Sequence, residues 1–104
     1  MKYSYSDSNI ISNNNITNNE VYGIYLESCS YTKILRNNLI NNGKNGYFIS
    51  SGVSRWDGNY WSDYKGKGVF PKMIIGKFSE IIFLSFPVII FDWHPAKEPY
   101  DIGV

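Results

Sequence analysis

Between Ile10 and Ile49 the apolar residues come in short alternations bounded by asparagine and glycine, with no run of ten or more at helical period. That pattern predicts short strands joined by corners. The phrases recur. Asn14 to Ser28 overlies Asn37 to Ser51 at a constant offset of 23 residues, and six of the fifteen positions are identical: Asn14, Asn15, Asn18, Asn19, Gly23 and Ser28 match Asn37, Asn38, Asn41, Asn42, Gly46 and Ser51. Ile16 with Leu39, Tyr25 with Phe48 and Leu26 with Ile49 keep their apolar character, and Ile11 over Ile34 extends the match upstream. A partial unit is read around Tyr5 to Asn9.

A period in this range indicates a solenoid, because each unit buries its apolar face only against its neighbours. A leucine-rich repeat would need Leu where Asn14 and Asn37 stand, and the chain has four leucines against fourteen isoleucines. Stacked β-strands fit better. Asparagine is poor in strand interiors but tolerates left-handed backbone and bonds to nearby main chain, so it belongs at corners. Corners stacked ~4.8 Å apart place one amide over the next, with donor and acceptor satisfied along the stack. Asn14 over Asn37 and Asn19 over Asn42 are the expected structural ladders, with columns 11/34, 16/39 and 26/49 inside.

Composition divides the chain. Eleven of its twelve asparagines precede residue 46, whereas all four prolines lie beyond residue 70 and the three tryptophans fall between 56 and 93. This predicts coils with a 23-residue repeat over 1–53 and an aromatic-rich closing segment over 54–104 of the same domain. Its apolar stretch Val69 to Phe91 is long enough for two or three strands. Ten basic against nine acidic residues give a net charge of +1 with no basic cluster, which argues against nucleic acid as a partner. The longest uncharged apolar run, Ile81 to Phe91, is too short for a membrane span. A single cysteine, Cys29, excludes an intrachain disulfide framework and a multi-cysteine metal cage. No apolar signal-peptide core follows Met1.

The two units resemble the Asn-x-Ile-x-x-Asn-x-x-x-Gly-Ile-x-Leu-x-x-Ser coils of the NosD-type, or periplasmic copper-binding, right-handed β-helix family. Arg55 to Tyr64 (RWDGNYWSDY) and Phe91 to Ile102 (FDWHPAKEPYDI) are similar to the C-terminal closing region of archaeal surface or secreted members. The resemblance implies a pectate-lyase-like superhelix and an exported, extracellular or cell-surface parent protein. The expected fold is therefore all-β: a right-handed parallel β-helix of two to three coils with a C-terminal cap. Two matched units are fewer than a solenoid needs, so the chain reads as the C-terminal end of a longer β-helix. Its uncapped N-terminal coil would favour end-to-end self-association.

Candidate chemistry lies in the second segment. Trp56, Tyr60, Trp61 and Tyr64, with Asp57 and Asp63 close by and Trp93 further on, have the makeup of a carbohydrate platform, in which rings stack on pyranose faces and carboxylates take hydroxyl bonds. The competing reading, favoured by the burial habits of large aromatics, is that these rings form the core of the cap. Asp92 and His94, at strand spacing i, i+2, would aim to one side as an acid-base or metal pair, but one histidine supplies too few nitrogen ligands for a metal. A structural His94 bonded to a backbone carbonyl before Pro95 is the favoured alternative. In the coils, Glu20 and Glu27 meet Gly43 and Ser50 at the repeat offset, so paired carboxylates on adjacent rungs are missing. The sequence thus offers no catalytic residue, no metal site and no cofactor. It predicts a non-catalytic β-helix module with a structural or display role and a polysaccharide or cell-surface glycan as partner. The alternatives are a piece of a polysaccharide lyase or hydrolase whose active coils lie elsewhere, and a copper-handling accessory protein of NosD type.

Overall fold

The computed structural model describes residues 1–4, 8–49, 54–65, 70–81 and 84–102. Their strands are β1 (Lys2–Ser4), β2 (Ile10–Ser12), β3 (Asn15–Thr17), β4 (Tyr22–Glu27), β5 (Thr32–Leu35), β6 (Asn38–Ile40), β7 (Lys44–Ile49), β8 (Ser54–Asp57), β9 (Tyr60–Trp61), β10 (Lys72–Ile81) and β11 (Leu84–Asp92). From β1 to β7 each strand pairs in parallel with the strand three places on. Three sheets result, ordered β1-β4-β7-β10-β11, β2-β5-β8 and β3-β6-β9. The protein is all-β, and among the described residues only the β10–β11 pair is antiparallel.

Alternation turns one side chain in two toward the space between the sheets. One column runs Ile11, Ile34, Trp56 and another Ile16, Leu39, Trp61. All six are nearly inaccessible. Burying side chains of this size contributes about 1.5–3 kcal/mol each, which offsets the ordering of short strands that could not stand alone.

The repeat is not uniform. Between the first and second units the register is 23 residues, as in Ile16 over Leu39, but β4 lies over β7 at 22, so Tyr25 faces Tyr47 and Leu26 faces Phe48. The expected pairs Tyr25 with Phe48 and Leu26 with Ile49 are therefore not formed, nor is the 26/49 column. The cause is a corner one residue shorter: 18–21 separate β3 from β4, but only 41–43 separate β6 from β7. Gly43 permits this, since a Cβ there would lie 2.4 Å from the Glu20 carbonyl oxygen. Ser51 of the expected Ser28 pair and Tyr5 of the partial unit lie outside the described residues, as does Val69. The sheets also continue past residue 53: β8 pairs with β5, and β9 with β6.

Corner residues take left-handed backbone. Asn13, Arg36 and Gly58 do so at one corner, Asn18 and Asn41 at the next. The residues that follow the first three, Asn14, Asn37 and Asn59, form one amide ladder. Asn14 Nδ2 donates to Asn37 Oδ1 at 3.1 Å, and Asn37 Nδ2 to Asn59 Oδ1 at 3.0 Å. The backbone N–H of each donates to the same acceptor. At the second corner Asn19 Nδ2 donates to Asn42 Oδ1 at 2.8 Å and Asn42 Nδ2 to Asn45 Oδ1 at 2.9 Å. Both ladders end on a carboxylate, Asp92 for one and Asp63 for the other.

The hairpin lies over the third unit. Ile74 joins the core cluster, and Val88 and Ile90 pack against it from β11. Beyond β11 the chain turns back along the stack. Ala96 N–H donates to the Asn59 carbonyl, Tyr100 N–H to Asn38 Oδ1, and Asn15 Nδ2 to the Ile102 carbonyl. The tail thus straps all three units.

Candidate functional site

The geometry of the hairpin end follows from Asp92. Its side chain is fully buried and accepts five hydrogen bonds, from the N–H groups of Gly58, Asn59 and His94, from Asn59 Nδ2, and from Trp61 Nε1 at 2.9 Å. Buried charge is tolerated only when so many donors replace water. These bonds pin the end of β11 beside the turn after β8. Asp57 and His94, far apart in sequence, meet there: His94 Nδ1 lies 2.7 Å from Asp57 Oδ1.

His94 does not share a site with the Asp92 carboxylate. β11 ends at Asp92, so the strand alternation that would aim both side chains together stops there, and Asp92 takes the backbone N–H of His94 instead of its ring. Nor does the ring bond a backbone carbonyl. Its partner is the Asp57 carboxylate, whose other oxygen lies 3.4 Å from Arg55 Nη2.

Alongside this triad runs a groove of about 420 Å³ between β8 and β11. Ile89, Phe91 and Trp93 stand at alternate positions and are 50%, 37% and 64% exposed, with the Phe91 and Trp93 rings 5.1 Å apart. An exposed tryptophan edge-tilted on a phenylalanine, beside charged side chains, is able to hold a flat, partly apolar ligand.

The six side chains expected to form a carbohydrate platform are dispersed. Trp56 and Trp61 face each other in the core at 5.6 Å and offer no ring face to solvent. Gly46 makes their room, since a Cβ there would meet the Trp56 ring at 2.8 Å. Asp57 belongs to the groove. Tyr60 and Tyr64 border a separate depression with Lys65 and Lys97, and the Tyr64 hydroxyl donates to the Phe70 carbonyl. Asp63 accepts from Asn45 Nδ2 at 3.0 Å and from Lys72 Nζ at 3.1 Å. Sequence reasoning did not single out Arg55, Ile89 or Phe91 as site residues. The period-two run Ile89, Phe91, Trp93 was the available signal.

A second aromatic group lies on the outer face of the first sheet, where Tyr25 stacks near Tyr47 at 5.8 Å and Tyr22 at 4.8 Å. Lys2 and Lys44 sit over the Tyr25 and Tyr47 rings. Burial, then the Glu27 carboxylate and the neighbouring Tyr22 and Tyr47, push the Tyr25 phenol above the ordinary tyrosine range.

A family model described as "Periplasmic copper-binding protein (NosD)" matches residues 1–66. The chain belongs to the NosD family. Comparison with curated proteins and with solved structures gave no match. The described residues of this NosD chain do not fit a copper ion. Cys29 is buried with its thiol directed to the Tyr3 and Glu27 carbonyls, His94 is bound to Asp57, and Met73 lies exposed on β10. Copper sites need several nitrogen or sulfur ligands converging on one point. Among the described residues no three His, Cys, Asp or Glu side chains come together. Among them, too, no helix is long and apolar enough to cross a membrane.

Proposed function

We propose that this NosD chain is a right-handed parallel β-helix of three coils, with the β10–β11 hairpin as its C-terminal cap, and that it acts outside the cytoplasm as a non-catalytic display module which holds carbohydrate in the β8–β11 groove. The parallel stacking of β1 to β9 supports the architecture, and the family's periplasmic description supports the location. The coils over 1–53 and the closing segment over 54–104 form one domain in this reading, with β8 and β9 of the closing segment continuing two of the coil sheets.

The observation that carries the ligand class is the exposed Trp93, stacked beside Phe91 and adjoining the Arg55, Asp57 and His94 trio. Rings of this kind stack on the apolar faces of pyranoses while the polar rim fixes hydroxyls. A glycan array followed by isothermal titration tests the reading. Binding that falls at least about tenfold in Trp93→Ala, a loss of ~1.4 kcal/mol, is expected. Absence of binding, or binding unchanged in that variant, would reject it.

A further inference from the structure

Building on the sugar reading of the β8–β11 groove, we propose that its ligand is an acidic oligosaccharide, a chain of uronic-acid residues whose carboxylate is taken by Arg55. The rim of the groove offers donors and acceptors unequally. A neutral sugar hydroxyl both donates and accepts, so a site that selects neutral sugars keeps free acceptors on its rim. Here each side-chain acceptor of the rim already takes one protein donor, which reduces what it offers a sugar hydroxyl: Asp57 Oδ1 lies 2.7 Å from His94 Nδ1, Asp57 Oδ2 lies 3.4 Å from Arg55 Nη2, and Ser54 Oγ accepts from Trp56 Nε1 at 3.2 Å. The donors are in surplus. Arg55 makes one long contact to Asp57 on a side chain 68% exposed, which leaves most of its N–H groups turned to solvent. Trp93 carries an indole N–H and no acceptor.

A ligand that brings acceptor oxygens and a flat apolar face meets both halves of this groove. The sugar ring lies on Trp93, and its carboxylate meets the guanidinium in the two-pronged geometry that arginine favours over the single long contact to Asp57. The Asp57 carboxylate is shared between His94 and Arg55, so it gives the guanidinium one long contact rather than a bidentate pair.

Isothermal titration of the full chain with an oligo-β-1,4-glucuronate and with the neutral cello-oligosaccharide of equal length separates the two claims, since the probes share a backbone and differ in the carboxylate. The acidic probe is expected to bind at least about tenfold more tightly, the scale of one hydrogen bond to a charged group. Arg55→Gln should erase that difference, and Trp93→Ala should weaken both probes. Both side chains are exposed, and circular dichroism checks that the variants fold. Equal or tighter binding of the neutral probe overturns the acidic preference and leaves the sugar reading standing. A preference that survives Arg55→Gln overturns the role given to Arg55. Failure of both probes to bind overturns both readings.

Discussion

At the scale of single residues, Asn14, Asn37, Asn59, Asn19 and Asn42 each give one side-chain N–H to the next member of their ladder and the other to a main-chain carbonyl, and no member donates back to the one before, so the line has a direction. Asn14 donates to Asn37 and Asn37 to Asn59. The last member must therefore be a pure acceptor, and an ionised carboxylate is one. This explains why Asp92 ends the first ladder and Asp63 the second. Asp92→Asn would set an NH₂ among five donors in a fully buried place, and is expected to cost about 2 kcal/mol or more in urea unfolding. Asp63→Asn, at a side chain 56% exposed, should change stability by less than about 0.5 kcal/mol. The asparagines were visible in the sequence because their spacing is periodic. Their terminators were not, since Asp92 is recruited from a distant hairpin and Asn45 enters its ladder out of period. Tyr25 offers a pH test. Its phenol titrates higher in the fold than in the unfolded chain. Its contribution is thus complete below the unfolded value near 10.0 and is lost as pH rises through the folded one. Ultraviolet titration of tyrosinate should show a late-ionising component that disappears in Tyr25→Phe.

At the scale of elements, side-chain volume is conserved along the stack while its distribution changes. Isoleucine and leucine in the first two units give way to Trp56 and Trp61 in the third, and the neighbouring column drops to Gly46 where Ile24 stands one unit earlier. Gly46→Ala is expected to destabilise by about 1–3 kcal/mol in thermal or chemical unfolding, because its Cβ would press on both indoles. The sequence marked Gly46 as a repeat of Gly23, which hid this role. The structure sets Gly46 opposite Ile24, and the one-residue shortening at 41–43 makes that shift. Aligning residues by identity cannot locate such a deletion when both corners carry an Asn-Asn pair. Only the backbone bonds, Gly43 N–H to the Asn19 carbonyl and Lys44 N–H to that of Val21, fix it.

At the scale of the whole molecule, the two ends of the stack differ. The hairpin covers the third unit, whereas β1, β2 and β3 each form one outer strand of their sheets. The outer strand of a parallel sheet is a template for further pairing. Copies are expected to associate through this end in a concentration-dependent manner by sedimentation, and Ile10→Lys, at an exposed position of β2, should weaken the association by placing like charges face to face. Unchanged association in that variant would move the contact elsewhere. The sequence by itself determined the kind of architecture, the asparagine corners and the inner columns at Ile11, Ile16, Ile34 and Leu39, because a repeat states local rules that each unit obeys against its neighbour. Tertiary structure alone decided which aromatic rings are walls and which are surface. Composition treats Trp56, Trp61 and Trp93 alike, but the first two point between the sheets and the third stands beyond the end of β11. It also decided the groove, since Arg55 and Asp57 meet Phe91, Trp93 and His94 only once the Asp92 carboxylate has drawn two remote segments together.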